Sequence, residues 1–206
     1  MDVQALAAAE RRDLASLLET LSPEDWEAPT LCARWRVRDV VAHLLSYEDL
    51  GVTGLARLFV RGRFLFDRIN DVGVSDLRSR TPADLVALLR EHSTPRGLTA
   101  SFGGRVALVD GLIHAQDIRR PLGLPREVPP DRLRVALPFA LTAPPIRGLW
   151  HVRGVRVVAT DLDWSAGRGP EARGPGEAVL LAIAGRRGVA SELSGPGAAT
   201  LVRRLG

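Results

Sequence analysis

His43, Asp110 and His114 are the residues of this chain whose types and spacing can do chemistry. Two imidazoles and one carboxylate suit a single divalent ion. Three protein donors leave one coordination position open, the pattern of a reactive site rather than of a closed structural one. Asp110 and His114 stand four residues apart in V-A-L-V-D-G-L-I-H-A-Q-D. On a helix they leave one face about 40° apart. Asp117 lies on the same stripe, and Val106 and Ile113 flank it, so the stripe is expected to face inward. An inward carboxylate is costly unless it is compensated. A metal would compensate Asp110, and so would an Arg, with His43 then an ordinary core histidine; the spacing alone leaves both open. Asp117 reads as a fourth ligand, as an acceptor that orients His114, or as an ion-pair partner of Arg119 or Arg120, the second being preferred. His92, at a helix end, is expected to be exposed. His151 precedes an expected strand, and neither is taken as a ligand. Cys32 reads as a buried structural thiol near the site.

The elements that must hold these residues follow from periodicity and stop signals. Residues 2–21 carry Leu6, Leu14, Leu17, Leu18 and Leu21 at helical spacing. Ser22-Pro23-Glu24-Asp25 is a helix start leading to Trp26, ended by Pro29. Residues 37–60 read as one long helix bearing His43, and residues 61–80 as a polar linker. Thr81-Pro82 opens a helix that runs to about His92. Residues 103–120 form the helix of Asp110 and His114, stopped by Pro121 and Gly123. A further short helix is expected over 131–142. After Pro144-Pro145 the texture changes. Residues 154–160 alternate as a strand does, and Leu162-Asp163-Trp164 is placed to pair with it. Helices are expected over 175–184 and 196–205. The expected architecture is mainly α: a helical bundle over 1–145, then a small α+β domain over 146–206. The latter is marginal by itself.

Composition bounds the partners. The 206 residues carry a net charge of +4, and all 28 basic residues are Arg. With one Tyr and one Cys, almost nothing titrates between neutrality and the Arg range, so a small excess of Arg is enough to give a pI near 10.7. The Arg residues are scattered among acids, and no concentrated basic face points to nucleic acid. No run of 18 apolar residues points to a membrane span. The first residues lack the basic and apolar regions of a signal peptide, and a lone cysteine fits a reducing cytoplasm.

Two motifs carry a family resemblance: T-L-C-A-R-W-R-V-R-D-V-V-A-H-L at 30–44 and D-G-L-I-H-A-Q-D-I-R-R-P-L-G at 110–123. They resemble the DinB-like four-helix bundles, and more closely the mycothiol-dependent maleylpyruvate isomerase family. The segments 159–170 and 174–187 are similar to that family's C-terminal domain. The resemblance implies a DinB-like bundle that holds a divalent metal, zinc foremost, through His43, Asp110 and His114. Asp110 departs from the family's more usual Glu, and Arg34 stands where a small residue, often Gly, is usual. The implied cofactor is mycothiol or a similar low-molecular-weight thiol as fourth ligand. Coordination lowers a thiol's pKa. The thiolate would add to an electrophilic carbon, then leave after rotation in an isomerase or remain in an S-transferase. Arg34, Arg38 and Arg119 are the expected binders of a carboxylate-bearing substrate. The competing expectation is a non-catalytic metal-binding or regulatory protein of the same fold. Oligomeric state is left open.

Overall fold

The computed structural model describes residues 2–48 and 50–205. Chain contacts divide it into two units that meet in sequence between Arg126 and Glu127.

The first unit opens with α1 (Val3–Leu18), whose start is capped by Asp2 Oδ1 accepting the Gln4 and Ala5 N–H groups at 3.0 and 3.3 Å. A capping box between Ser22 and Asp25 starts the single turn of α2 (Pro23–Trp26). Then follow α3 (Val37–Leu45), α4 (Val52–Arg61), α5 (Phe66–Asp76), α6 (Pro82–Glu91) and α7 (Arg105–Arg119). Helix α1 packs on both α6 and α7, and α3 packs on the same two. These four close a bundle around Leu14, Leu18, Val40, Val41, Leu85, Leu89 and Ile118.

Two expectations are corrected in this unit. The helix expected over 37–60 is broken between Leu45 and Val52. The Ser46 N–H and hydroxyl both donate to the His43 carbonyl, at 3.1 and 2.8 Å, and the helical ladder stops there. Gly51, in extended conformation, opens the next helix. The expected linker over 61–80 contains α5. Its apolar stripe is short, with Ile69 and Val74 buried among Asp, Asn, Arg and Ser. Gly73 lets it approach α3, since a Cβ there would stand 2.7 Å from Ser46 Cβ.

The second unit runs α8 (Pro130–Thr142), α9 (Gly148–His151), β1 (Arg156–Ala159), β2 (Trp164–Gly167), β3 (Glu171–Gly174), α10 (Gly176–Ile183), a 3-10 segment (Arg187–Glu192) and α11 (Ala198–Leu205). The sheet order is β2-β1-β3. A hairpin forms, but its second strand is shifted: Leu162 and Asp163 lie in the turn, and of the three residues expected to pair only Trp164 does, with Val157 opposite Ala166. β3, which has no strand-like pattern of its own, pairs parallel to β1 with Val157 opposite Ala172. Helix α8 packs on α9 and α10 and goes with this unit by its contacts. His151 ends α9, and its Nδ1 is 2.7 Å from the Ile183 carbonyl. No helix among the described residues is long and apolar enough to cross a membrane.

Candidate metal centre

Helix α3 begins at Arg36, whose N–H and Nε both donate to Asp39 Oδ2 at 3.0 Å. An acid in the first turn also suits the helix dipole. From that start, Val37, Val40, Val41 and His43 are all buried. Helix α7 follows Gly103 and Gly104, both at positive φ, and turns Leu108, Leu112 and His114 inward. The spacing of four then brings Asp110 to the imidazoles. Its Oδ1 lies 3.7 Å from His43 Nε2 and 3.4 Å from His114 Nε2. The donor atoms of all three residues lie within 4.8 Å of one another. The His43 and His114 side chains are 8% and 9% exposed and that of Asp110 is 32% exposed, so the group opens on the Asp110 side.

Electrostatics bind the trio. Burial opposes ionisation of Asp110, but His114 and His43 outweigh it and hold the carboxyl well below its ordinary range. Burial likewise opposes a charged His114, and Asp110, Asp117 and Cys32 outweigh it, raising His114 well above 6.5. Asp117, fully buried, is 2.9 Å from His114 Nδ1 through its Oδ2. His43 Nδ1 is buried and makes no hydrogen bond among the described residues.

Aromatic rings wall the group. Trp35 stands 4.9 Å from His43 and 6.4 Å from His114 between centroids. Tyr47 meets His43 edge-on at 5.9 Å and donates its hydroxyl to Asn70 Oδ1 at 2.5 Å. Burial, with the Asp110 charge, pushes the Tyr47 phenol above its ordinary range, so it stays a donor. Tyr47 is four residues after His43, a spacing that marks it from sequence. Trp35 carries no such signal. Cys32, half-buried, reaches the far side of His114, with Sγ 3.6 Å from Nδ1 and 3.0 Å from Asp117 Oδ2.

The expected substrate-binding arginines separate. Arg34 is exposed, 3.6 Å from Asp71, and lines a cavity of about 400 Å³ with Trp35, Asp39, Asp71, Val74, Ser75 and Arg78. Its φ is +78°, a left-handed conformation that favours glycine. Arg38 is committed elsewhere: it donates to Glu27 at 3.0 Å and to the carbonyls of Arg78 and Arg80 at 3.3 and 3.0 Å. Arg119 is half-buried in the last turn of α7. His92, expected to be exposed, is buried. It ends α6, and Arg11 Nη1 donates to its carbonyl at 2.5 Å.

Residues 7–97 match the family described as the mycothiol maleylpyruvate isomerase N-terminal domain. No curated protein sequence matches the chain. Two solved structures share its fold. One is a crystal structure of a histidine-to-alanine mutant of the mycothiol-dependent maleylpyruvate isomerase, with a TM-score of 0.62 at 13% identity, covering 95% of this chain and 92% of that one. The other is a crystal structure of the mycothiol-dependent maleylpyruvate isomerase, with a TM-score of 0.56 at the same identity and coverage. Residues 7–97, which contain the first of the two motifs, thus match the mycothiol maleylpyruvate isomerase N-terminal domain family, and the chain has the fold of the mycothiol-dependent maleylpyruvate isomerase.

Proposed function

We propose that the chain is a divalent-metal enzyme that uses a low-molecular-weight thiol of the mycothiol kind either to isomerise a small electrophile or to remain attached to it through sulfur as a stable adduct. One observation carries this reading. Around a tetrahedral ion with ligand bonds of about 2.1 Å, donor atoms stand about 3.4 Å apart. Asp110 Oδ1 is 3.4 Å from one imidazole nitrogen and 3.7 Å from the other. Asp110 is one methylene shorter than the acid usual in the resembling family, and the two facing helices already hold it at donor spacing. Nitrogen and carboxylate donors together suit zinc.

His43, Asp110 and His114 would hold the ion, and a thiol in the remaining position would ionise near neutrality. The chain's other residues have separate tasks in this reading. Asp117 keeps the His114 Nδ1 proton and thereby turns Nε2 toward the ion. Trp35 and Tyr47 exclude water behind His43, which strengthens every charge interaction in front of it. Arg34 offers a guanidinium to a carboxylate at the cavity mouth. A single cysteine and a thiol-dependent reaction both fit a reducing cytoplasm.

The test is metal content together with turnover. Purified protein is expected to carry about one equivalent of zinc, with His43→Ala and His114→Ala carrying less than about a tenth of that. Added thiol should then be required for conversion of a conjugated, carboxylate-bearing electrophile. Failure of the metal-free wild-type protein to take up zinc would sink the proposal. Zinc uptake without thiol-dependent turnover would leave a metal-binding or regulatory protein of this fold.

A further inference from the structure

The Asp117 carboxylate is fully buried, and its Oδ2 lies within hydrogen-bond reach of two side chains. Cys32 Sγ donates to it at 3.0 Å, and His114 Nδ1 lies 2.9 Å away. With water excluded, the direction this carboxylate faces depends on protein donors. The cysteine comes from a loop that is itself tied to α7. Leu31 N–H donates to the Asp117 carbonyl at 3.1 Å. Cys32 N–H donates to Thr30 Oγ1 at 3.1 Å, and Trp35 N–H to the Cys32 carbonyl at 3.0 Å. The thiol is thus fixed relative to the helix that bears both His114 and Asp110.

We infer that Cys32 is a positioning residue of the metal centre: its thiol proton holds Asp117 in the orientation that accepts His114 Nδ1–H, which aims His114 Nε2 at Asp110 and His43. The inference rests on reading those three residues as the metal ligands. A thiol is a weak donor, but a buried charged acceptor strengthens it. Two competing roles fit the geometry less well. As a nucleophile Cys32 is on the wrong side, since Sγ approaches Nδ1, whereas Asp110 approaches Nε2. As a ligand of a second ion, Cys32 would share it with Asp117 and His114, whose donor atoms also cluster within 4.8 Å. Yet separations of 3.0 and 2.9 Å are hydrogen-bond lengths, shorter than the spacing of about 3.4 Å around an ion.

The experiment compares wild type with Cys32→Ala, Cys32→Val and Cys32→Ser. Zinc affinity is measured by chelator competition, and the His114 Nδ1–H proton is followed by NMR in metal-free, ring-nitrogen-labelled protein. Valine fills the thiol's volume without donating, so it serves if alanine unfolds the loop. Both apolar variants are expected to bind zinc about ten-fold more weakly and to lose the protected Nδ1–H resonance. Serine, still a donor, is expected to retain the resonance and stay within about three-fold of wild-type affinity. Wild-type behaviour in both apolar variants would overturn the inference. So would two zinc equivalents in wild type falling to one in Cys32→Ala, which would make Cys32 a ligand. If wild type takes no zinc, the metal reading itself falls, and the Nδ1–H resonance alone still decides the role of Cys32.

Discussion

Arg34 is a charged residue in a backbone conformation that suits glycine, with φ at +78°. Its left-handed turn lets the chain fold back so that Trp35 reaches His43. A non-glycine residue in this region costs about 1–2 kcal/mol, and glycine returns about 0.4–1 kcal/mol of that through the freer unfolded chain. Its ion pair with Asp71 is open to solvent and adds little. Arg34→Gly is therefore expected to raise stability by about 0.5–1 kcal/mol, read as a higher urea midpoint at unchanged slope. Zinc affinity should stay at its wild-type value while KM for a carboxylate-bearing electrophile rises. A lower midpoint would show that the side chain, not the backbone, dominates. At this scale the sequence is most readable where partners are close along the chain. A spacing of four residues places Asp110 beside His114, and three more reach Asp117. The contact of Cys32 with the same histidine spans 82 residues, and nothing in T-L-C-A-R-W encodes it. The motif resemblance brought that segment near the centre without saying which of its atoms faced His114.

Helix α5 shows how an element can be hidden in composition and still line a cavity. Its Asp71, Val74 and Ser75 line the cavity that Arg34 and Trp35 share. Composition hid it, because a stripe of Ile69 and Val74 is too short to show a period among so many polar residues. Tertiary packing supplies the rest, through the close approach of Gly73 to Ser46 at the end of α3. A methyl group at Gly73 would fall 2.7 Å from Ser46 Cβ and 2.8 Å from its Oγ, distances at which something must move. Gly73→Ala is expected to destabilise by about 1–3 kcal/mol despite its better helix propensity, because the seam is overpacked. Chemical denaturation measures this, and a gain in stability would mean that α5 does not sit against α3 in solution. The break between α3 and α4 was hidden for the opposite reason. Apolar residues continue through Leu50, Val52 and Leu55, and the hydroxyl of one serine ends the helix. By contrast α6 was legible to within a residue, because Thr81, Pro82 and Asp84 cap it from inside its own sequence.

For the whole molecule, every residue proposed for the centre lies in the helical unit before Glu127, so the stability of that unit and its chemistry are linked through protons. In the metal-free protein His114 is raised well above 6.5 and Asp110 is lowered below 3.8. The lowered Asp110 contributes stability above pH 3.8 and loses it as pH falls through its folded value. The raised His114 contributes fully below pH 6.5 and loses it as pH rises toward its folded value. Above pH 6.5 the folded chain holds a proton that the unfolded chain has released. The contribution of this pair to stability therefore falls with pH, by at most about 1.4 kcal/mol per unit. On the proposed function zinc would reverse the sign, because the metal-facing nitrogens must be bare and each proton lost favours the ion. Between pH 6.5 and 8 the metal-free melting temperature is expected to fall, while the increment produced by a fixed zinc concentration grows. Asp110→Asn removes the counter-charge that holds the proton on His114, so its metal-free slope over the same range should flatten. A metal-free melting temperature that climbs through this range in wild type, with the same slope in Asp110→Asn, would mean that Asp110 and His114 do not form an ion pair in solution. The spacing that makes them candidate ligands would then have lost its electrostatic support.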